Sequence, residues 1–302
     1  MRNEETYVTS GTHVHFALYL PRIVIRYRAI VQIHHGLEEY NERYHKFASF
    51  LANHGYVVIT ADFPGHGQSL NNFNQGQFCE LDGTVTLVDD VERLRDIVAT
   101  RYPSLPYFML GYQLGSVVLK KYIALFGQKI DGCILLGTNG QNPFRHYRAA
   151  FNLSSLFVND NAKNNFIHQL IHSRFGKSSN AVDYLSHDSE AVASYYDDPF
   201  NHFAYTNKSY KEIMRLLDQA GSYEQMKNIP TDLPILLLSG KDDFFGEYGK
   251  GVEWLHTAYK KLGIKDVEMN IYPKMRMDIL HEVDYRDVYW RIVDWLEEHT
   301  YY

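Results

Sequence analysis

Over most of this chain, short apolar runs alternate with segments whose apolar residues recur at helical spacing. Residues 12–20 are rich in strand formers, with Val14, Phe16 and Leu18 alternating onto one face. Residues 29–33 are a mostly apolar run that fits a buried strand leading into His34-His35-Gly36. Tyr44, Phe47, Phe50 and Leu51 then recur as on a helix, and Gly55 stands where a C-terminal cap glycine belongs. The spacing predicts further strands over 56–60, 107–110, 133–136, 235–238 and 267–272. Helices are expected around Leu87 to Val98, over 117–126, near 252–262, and at the end through Val288, Ile292, Trp295 and Leu296. Apolar strands alternating with amphipathic helices imply an α/β fold whose mostly parallel sheet is covered on both faces.

Residues 141–232 break the alternation. They are rich in Asn, Ser, Tyr and His, with helical stretches around 164–174 and 210–217 and no good strand. An insertion of that kind reads as a helical cap over the carboxyl edge of the sheet, where ligands of open α/β sheets bind. The expected organisation is a core of residues 1–140 and 233–302 with a cap of 141–232.

Composition narrows this picture without redirecting it. A length of 302 residues allows one large domain or two small ones, and 45% hydrophobic with 22% charged residues is globular. The balance of 30 Lys+Arg against 36 Asp+Glu argues against a dedicated nucleic-acid binder. Aromatic residues make up 15%, enough to fill a core or line an apolar pocket. Cys79 and Cys133 are far apart and in no metal-ligand spacing, so neither a disulfide framework nor a zinc knuckle is expected. The polar start and the lack of an apolar run of roughly 18–20 residues predict a cytoplasmic protein with no stable membrane insertion. The sequence carries no signal for oligomeric state.

The chemistry gathers at a few turns. Gly111-Tyr112-Gln113-Leu114-Gly115-Ser116 follows a predicted strand and precedes a predicted helix, the setting of a nucleophile elbow. His35-Gly36-Leu37-Glu38-Glu39 followed by Arg43-Tyr44 resembles the oxyanion-loop segment of the monoacylglycerol lipase and lysophospholipase branch of the α/β-hydrolases. Asp62-Phe63-Pro64-Gly65-His66-Gly67-Gln68-Ser69 resembles that branch's Asp-x-x-Gly-His-Gly-x-Ser turn. Ser239-Gly240, Asp243, Gly246 and Tyr248 to Val252 are similar to the segment carrying the acid of its triad. In the cap, Tyr184-Leu185-Ser186, Asp188 and Asp198-Pro199 also look like bacterial members. The resemblance runs along essentially the whole chain and implies an α/β-hydrolase fold, with backbone donors of an oxyanion hole at Leu37 and Leu114.

The departures fall on the reacting groups. Where the family elbow reads Gly-His-Ser-x-Gly, the nucleophile position here is Gln113 and its neighbour is Tyr112. The resemblance places the family's histidine base at Met277, in Tyr272-Pro273-Lys274-Met275-Arg276-Met277-Asp278. Only the acid, Asp243, matches. Serine hydrolysis needs a hydroxyl to attack and an imidazole to take its proton. A glutamine amide and a thioether supply neither.

Substitutes are scarce. His281 lies one helical turn beyond Met277 and reaches the site only if its loop is reshaped; Ser116, in the first turn of the helix, is expected to pack away from the pocket. Asp242 and Asp243 lack a histidine or cysteine at ligand spacing, and no metal site and no cofactor are expected in this chain. His34 and the pair His13/His15 read as ordinary strand-edge histidines, while His35 is expected to support the oxyanion loop. Without a histidine partner, Asp243 needs another donor, a water, a raised pKa or a countercharge, for which Arg276 or Lys274 is nearest in sequence. The leading expectation is a non-catalytic α/β-hydrolase homologue, a pseudoenzyme whose pocket takes an acyl or other apolar small molecule. The alternatives are an ester hydrolase with a relocated nucleophile or base, and a protein–protein scaffold with an exposed apolar patch on the cap.

Overall fold

The computed structural model describes residues 1–9, 12–22, 26–70, 74–78, 83–175 and 184–300; Cys79 lies outside them. Eight strands form one sheet: β1 (Arg2–Thr9), β2 (Thr12–Tyr19), β3 (Ile30–His34), β4 (Val57–Ala61), β5 (Tyr107–Tyr112), β6 (Gly132–Leu136), β7 (Ile235–Gly240) and β8 (Val267–Tyr272). Their spatial order is β1-β2-β4-β3-β5-β6-β7-β8. β2 runs antiparallel to β1 and β4, and every other pair is parallel. Strands β3 to β7 are buried at every position, as apolar runs covered on both faces require. The polar start of the chain belongs to β1, an edge strand that is mostly exposed or half-buried and buries only Tyr7.

Ten α-helices accompany the sheet among the described residues. The sheet-flanking ones are α1 (His45–Asn53), α2 (Gly83–Arg101), α3 (Leu114–Phe126), α9 (Lys250–Lys261) and α10 (Tyr285–Glu298). Between β6 and β7 come α4 (Arg148–Ser155), α5 (Asn165–Phe175), α6 (Ser189–Asp197), α7 (Asn207–Ala220) and α8 (Tyr223–Met226). Gly55 ends α1 as the sequence predicts: it takes φ +96°, its N–H donates to Ala52, and Tyr56 N–H donates to Leu51. That pair of bonds is a Schellman cap, which needs a residue tolerant of positive φ.

The β6–β7 insertion is helical, as its pattern predicts, but α4 and α6 escape the spacing argument because both are short and show few buried residues. α6 does carry a readable start signal, since Asp188 accepts from the N–H groups of Glu190 and Ala191. α7 packs against α2 and α3. Leu153, Leu156, Phe157 and Phe166 are exposed on the insertion, Leu156 at 78% and Phe157 at 82%. No helix among the described residues is long and apolar enough to cross a membrane.

Candidate functional site

The site is built first by the close crossing of β5 and α3. A Cβ on Gly111 would lie 2.5 Å from the carbonyl of Gly115, and one on Gly115 would lie 2.3 Å from that of His34. Only glycine fits at either position, and the chain between them turns sharply. Gln113 sits at the apex with φ 46° and ψ −104°, a backbone region unfavourable to L side chains. Its N–H donates to Leu136 O at 3.0 Å. Ser116 Oγ donates to Gln113 O at 2.6 Å and accepts from the Thr138 hydroxyl at 2.9 Å, so its hydroxyl is spent on the turn, as expected.

The loop after β3 meets this apex. Leu37 N–H donates to Gln113 Oε1 at 2.7 Å, so the expected oxyanion donor at Leu37 is engaged by the glutamine carbonyl. Leu114, the other expected donor, follows Gln113 as the first residue of α3. The other end of the amide, Nε2, donates to Met277 Sδ at 3.2 Å. The two positions at which the sequence departs from the hydrolase pattern are therefore in direct contact. Thioether sulfur is a weak acceptor, so the Leu37 bond is the stronger of the two. Leu37, Glu38, Tyr112, Gln113, Tyr184 and Met277 are among the residues lining a cavity of about 20 Å³, room for about one water.

The loop is braced from behind. His35 Nδ1 faces Gly36 O at 2.8 Å and its Nε2 accepts from Phe63 N–H at 2.9 Å. A carbonyl can only accept and an N–H only donate, so these partners fix a neutral ring protonated on Nδ1. Burial, with His66 nearby, pushes the His35 pKa well below its usual value, in agreement. The expected supporting role of His35 is met. His34 is also buried, bonded to Gln32 and stacked on Phe63. Glu39 Oε1 accepts from Gly36 N–H and from Tyr44 OH, both at 2.6 Å, and Glu39 Oε2 pairs with Arg43 Nε at 2.7 Å.

His281 stays away from the apex. Its Nδ1 meets Asp278 Oδ1 at 2.8 Å and its Nε2 meets Arg43 O at 2.9 Å. Asp278 also pairs with Arg43. Burial opposes ionisation of Asp278, but His281 and Arg43 hold its pKa below the usual value. This network fixes the loop that carries Met277.

Asp243 is fully buried after β7. Oδ2 accepts from Ser239 Oγ at 3.0 Å, and the backbones of Gly246 and Phe245 contribute hydrogen bonds. Oδ1 is buried with no hydrogen-bond partner among the described residues. Burial outweighs the donors and pushes the carboxyl up to about 7. The countercharge expected from Arg276 is not delivered, because its guanidinium donates to Ser186 O at 2.9 Å. A serine hydroxyl and backbone groups take that place, since a loop neighbour in sequence need not point its side chain inward.

A second cluster forms where the insertion meets the loop after β3. Glu38 is buried, and Oε1 lies 3.2 Å from His168 Nδ1 while Oε2 lies 3.0 Å from His172 Nε2. His202 Nδ1 is 3.8 Å from Oε2. Burial raises the Glu38 pKa, but His172 and His168 more than reverse this and bring it down to about 2. This cluster was not anticipated from the sequence; the one signal that could have found half of it is His168-x-x-x-His172 inside a predicted helix. The other half gives no such signal, because Glu38 and His202 lie far away along the chain.

A strand–elbow–helix turn, an adjoining backbone donor and an acid after a later parallel strand together define the α/β-hydrolase fold. The family model described as serine aminopeptidase, S33, matches residues 26–284, and the chain belongs to that family. It is 25% identical over 280 residues to the monoacylglycerol lipase of Mycolicibacterium smegmatis, covering 90% of this chain and 89% of that one. It is similar to the crystal structure of a thermostable carboxyl esterase from Bacillus coagulans in complex with glycerol, with TM-score 0.90, 27% identity and 99% of each chain covered. A soluble variant of the Saccharomyces cerevisiae monoglyceride lipase, in complex with a substrate analog, shares the fold at TM-score 0.78 and 19% identity, covering 99% of this chain and 96% of that one.

Proposed function

We propose that this chain is a non-catalytic member of its family, a pseudoenzyme that keeps the scaffold of an ester hydrolase without its chemistry. One observation carries the reading: the Gln113 amide spans the reacting centre, its oxygen on Leu37 N–H and its nitrogen on the Met277 sulfur. An amide at the apex is a poor nucleophile, and a thioether cannot take a proton near neutral pH. Loss of either group in a triad enzyme costs on the order of a million-fold in turnover, and loss of both is little worse. His281 and Ser116, the substitutes the sequence offers, are each committed to other partners.

The remaining role is binding. The relatives named for monoacylglycerol and carboxyl-ester hydrolysis support an acyl or other apolar small molecule as ligand. Admitting an acyl chain beside Gln113 requires the lining side chains to move, because about 20 Å³ is free there.

Hydrolysis of a short-chain aryl ester, compared between the native chain and the Gln113→Ser/Met277→His double variant, tests the reading. The native chain should be silent and the variant should turn over at least about a thousand times faster. Enzyme-like turnover by the native chain would refute a non-catalytic role. A thermal shift with a long-chain monoacylglycerol tests the ligand class in the same samples.

A scaffold role rests on the exposed Leu153, Leu156, Phe157 and Phe166. Light scattering that finds a monomer at high protein concentration removes self-association through that face.

A further inference from the structure

Three imidazoles and one carboxylate converge where the β6–β7 insertion meets the core, next to the cavity that Glu38 and His172 line together with Gln113. The ligand atoms of Glu38, His168, His172 and His202 all lie within 4.8 Å of one another. His168 and His172 are four residues apart on α5, so both project from one face of the helix. A zinc ion with bonds of 2.0–2.1 Å to nitrogen and oxygen sets its ligands about 3.3 Å apart in a tetrahedron. The imidazole-to-carboxylate separations of 3.2, 3.0 and 3.8 Å bracket that spacing. Hydrogen bonding alone accounts for His168 and His172 but leaves His202, at 3.8 Å, aimed at a carboxylate it does not bond.

The surroundings are those of a supported site. His172 presents Nε2 to Glu38 while its Nδ1 lies 3.3 Å from Tyr184 OH, a second partner that orients the ring. The backbone of Glu38 is pinned at both ends, with its N–H donating to Tyr205 OH and its carbonyl accepting from Tyr195 OH and from His202 N–H. Glu38 and His202 both adopt positive φ, 56° and 51°. Strain of that kind at two converging residues marks a place where side-chain direction matters more than local backbone comfort.

We infer that Glu38, His168, His172 and His202 form a binding site for a divalent transition-metal ion of the zinc class. Imidazole and carboxylate suit zinc, and four protein ligands make a closed, structural site rather than one with a position open for water. A bound ion joins the loop after β3 to α5 and to the segment preceding Phe203. Because Glu38 directly follows Leu37, the ion also fixes the loop whose N–H holds Gln113. The inference goes beyond the pseudoenzyme reading and does not depend on it.

The test is titration of the metal-stripped full chain with Co²⁺, followed by competition with Zn²⁺. The expected result is one equivalent of cobalt with intense ligand-field absorption of tetrahedral type, displaced by zinc. Affinity should fall at least about a hundredfold in Glu38→Gln and in His168→Gln, two substitutions close in size. Circular dichroism confirms that each variant is folded, and either one alone suffices if the other is not. Three results overturn the site: no binding tighter than about 100 µM, a weak octahedral spectrum, or binding that both variants retain. The last of these would move the metal elsewhere, for example to the cluster of Asp266, Glu268 and His299. Ester turnover plays no part in these readouts, so the two proposals fail separately.

Discussion

Gln113 and Asp243 stand at two positions of the triad pattern and have opposite standing in their surroundings. Gln113 stands where the resemblance expects serine and is satisfied at both ends of its amide. Asp243 stands where the resemblance expects the acid, yet one of its oxygens is buried without a partner among the described residues and burial lifts its pKa to about 7. The departing position is thus the comfortable one, and the matching position carries the penalty. A catalytic acid is built to face a histidine. With Met277 at the position where the resemblance expects a histidine, the carboxyl has no imidazole to offset its cost of desolvation under the proposed reading.

The largest effect that would sharpen this contrast is the gain of ester turnover on restoring serine and histidine together. Next comes Asp243→Asn. A carboxyl whose folded pKa lies above its unfolded value favours folding at low pH, and that contribution is lost as pH rises from about 4 through about 7. The asparagine variant lacks this loss, so it should unfold at a higher temperature than the native chain at pH 8, with the difference closing towards pH 4. The gain at pH 8 is at most about 4 kcal/mol. Asp90, also raised to about 7 by burial, adds a slope of the same sign to both proteins, and the comparison cancels it. A variant no more stable than the native chain at pH 8 would break the contrast. A smaller effect is expected from Gln113→Leu, which keeps the bulk at the apex but leaves Leu37 N–H without its carbonyl. It should destabilise by about 1–3 kcal/mol in urea unfolding. A neutral result would show that the amide merely fills space.

How much of this was readable from the chain depended on whether the deciding contacts were local. The strands of the sheet were legible because apolar runs bounded by Gly36, Gly111 and Gly137 need no distant partner to be recognised. Gln113, Met277 and Asp243 were singled out because the segments that carry them resemble family motifs in family order, and the first two lie in contact at 3.2 Å. What the glutamine does with its amide was not legible, since it depends on where Leu37 N–H points. The Arg276 countercharge failed for the same reason: nearness along the chain fixed the backbone's neighbourhood but not the direction of the guanidinium. The cluster at Glu38 was missed: the i, i+4 pair of histidines was passed over as part of a helix, and the carboxylate that completes it lies 130 residues from His168.

The bond from Leu37 to Gln113 has a consequence for anything that binds at the apex. The glutamine amide is a tethered competitor, present at an effective concentration set by its own short side chain, in the millimolar range or above. A carbonyl-bearing ligand that needs the Leu37 N–H must displace it, and its apparent affinity is reduced by the fraction of time that donor is vacated. Ligands that carry no carbonyl escape this tax. The apex therefore holds an ester carbonyl more weakly than a vacant Leu37 N–H would, and an acyl ligand seated by its chain alone keeps its full affinity.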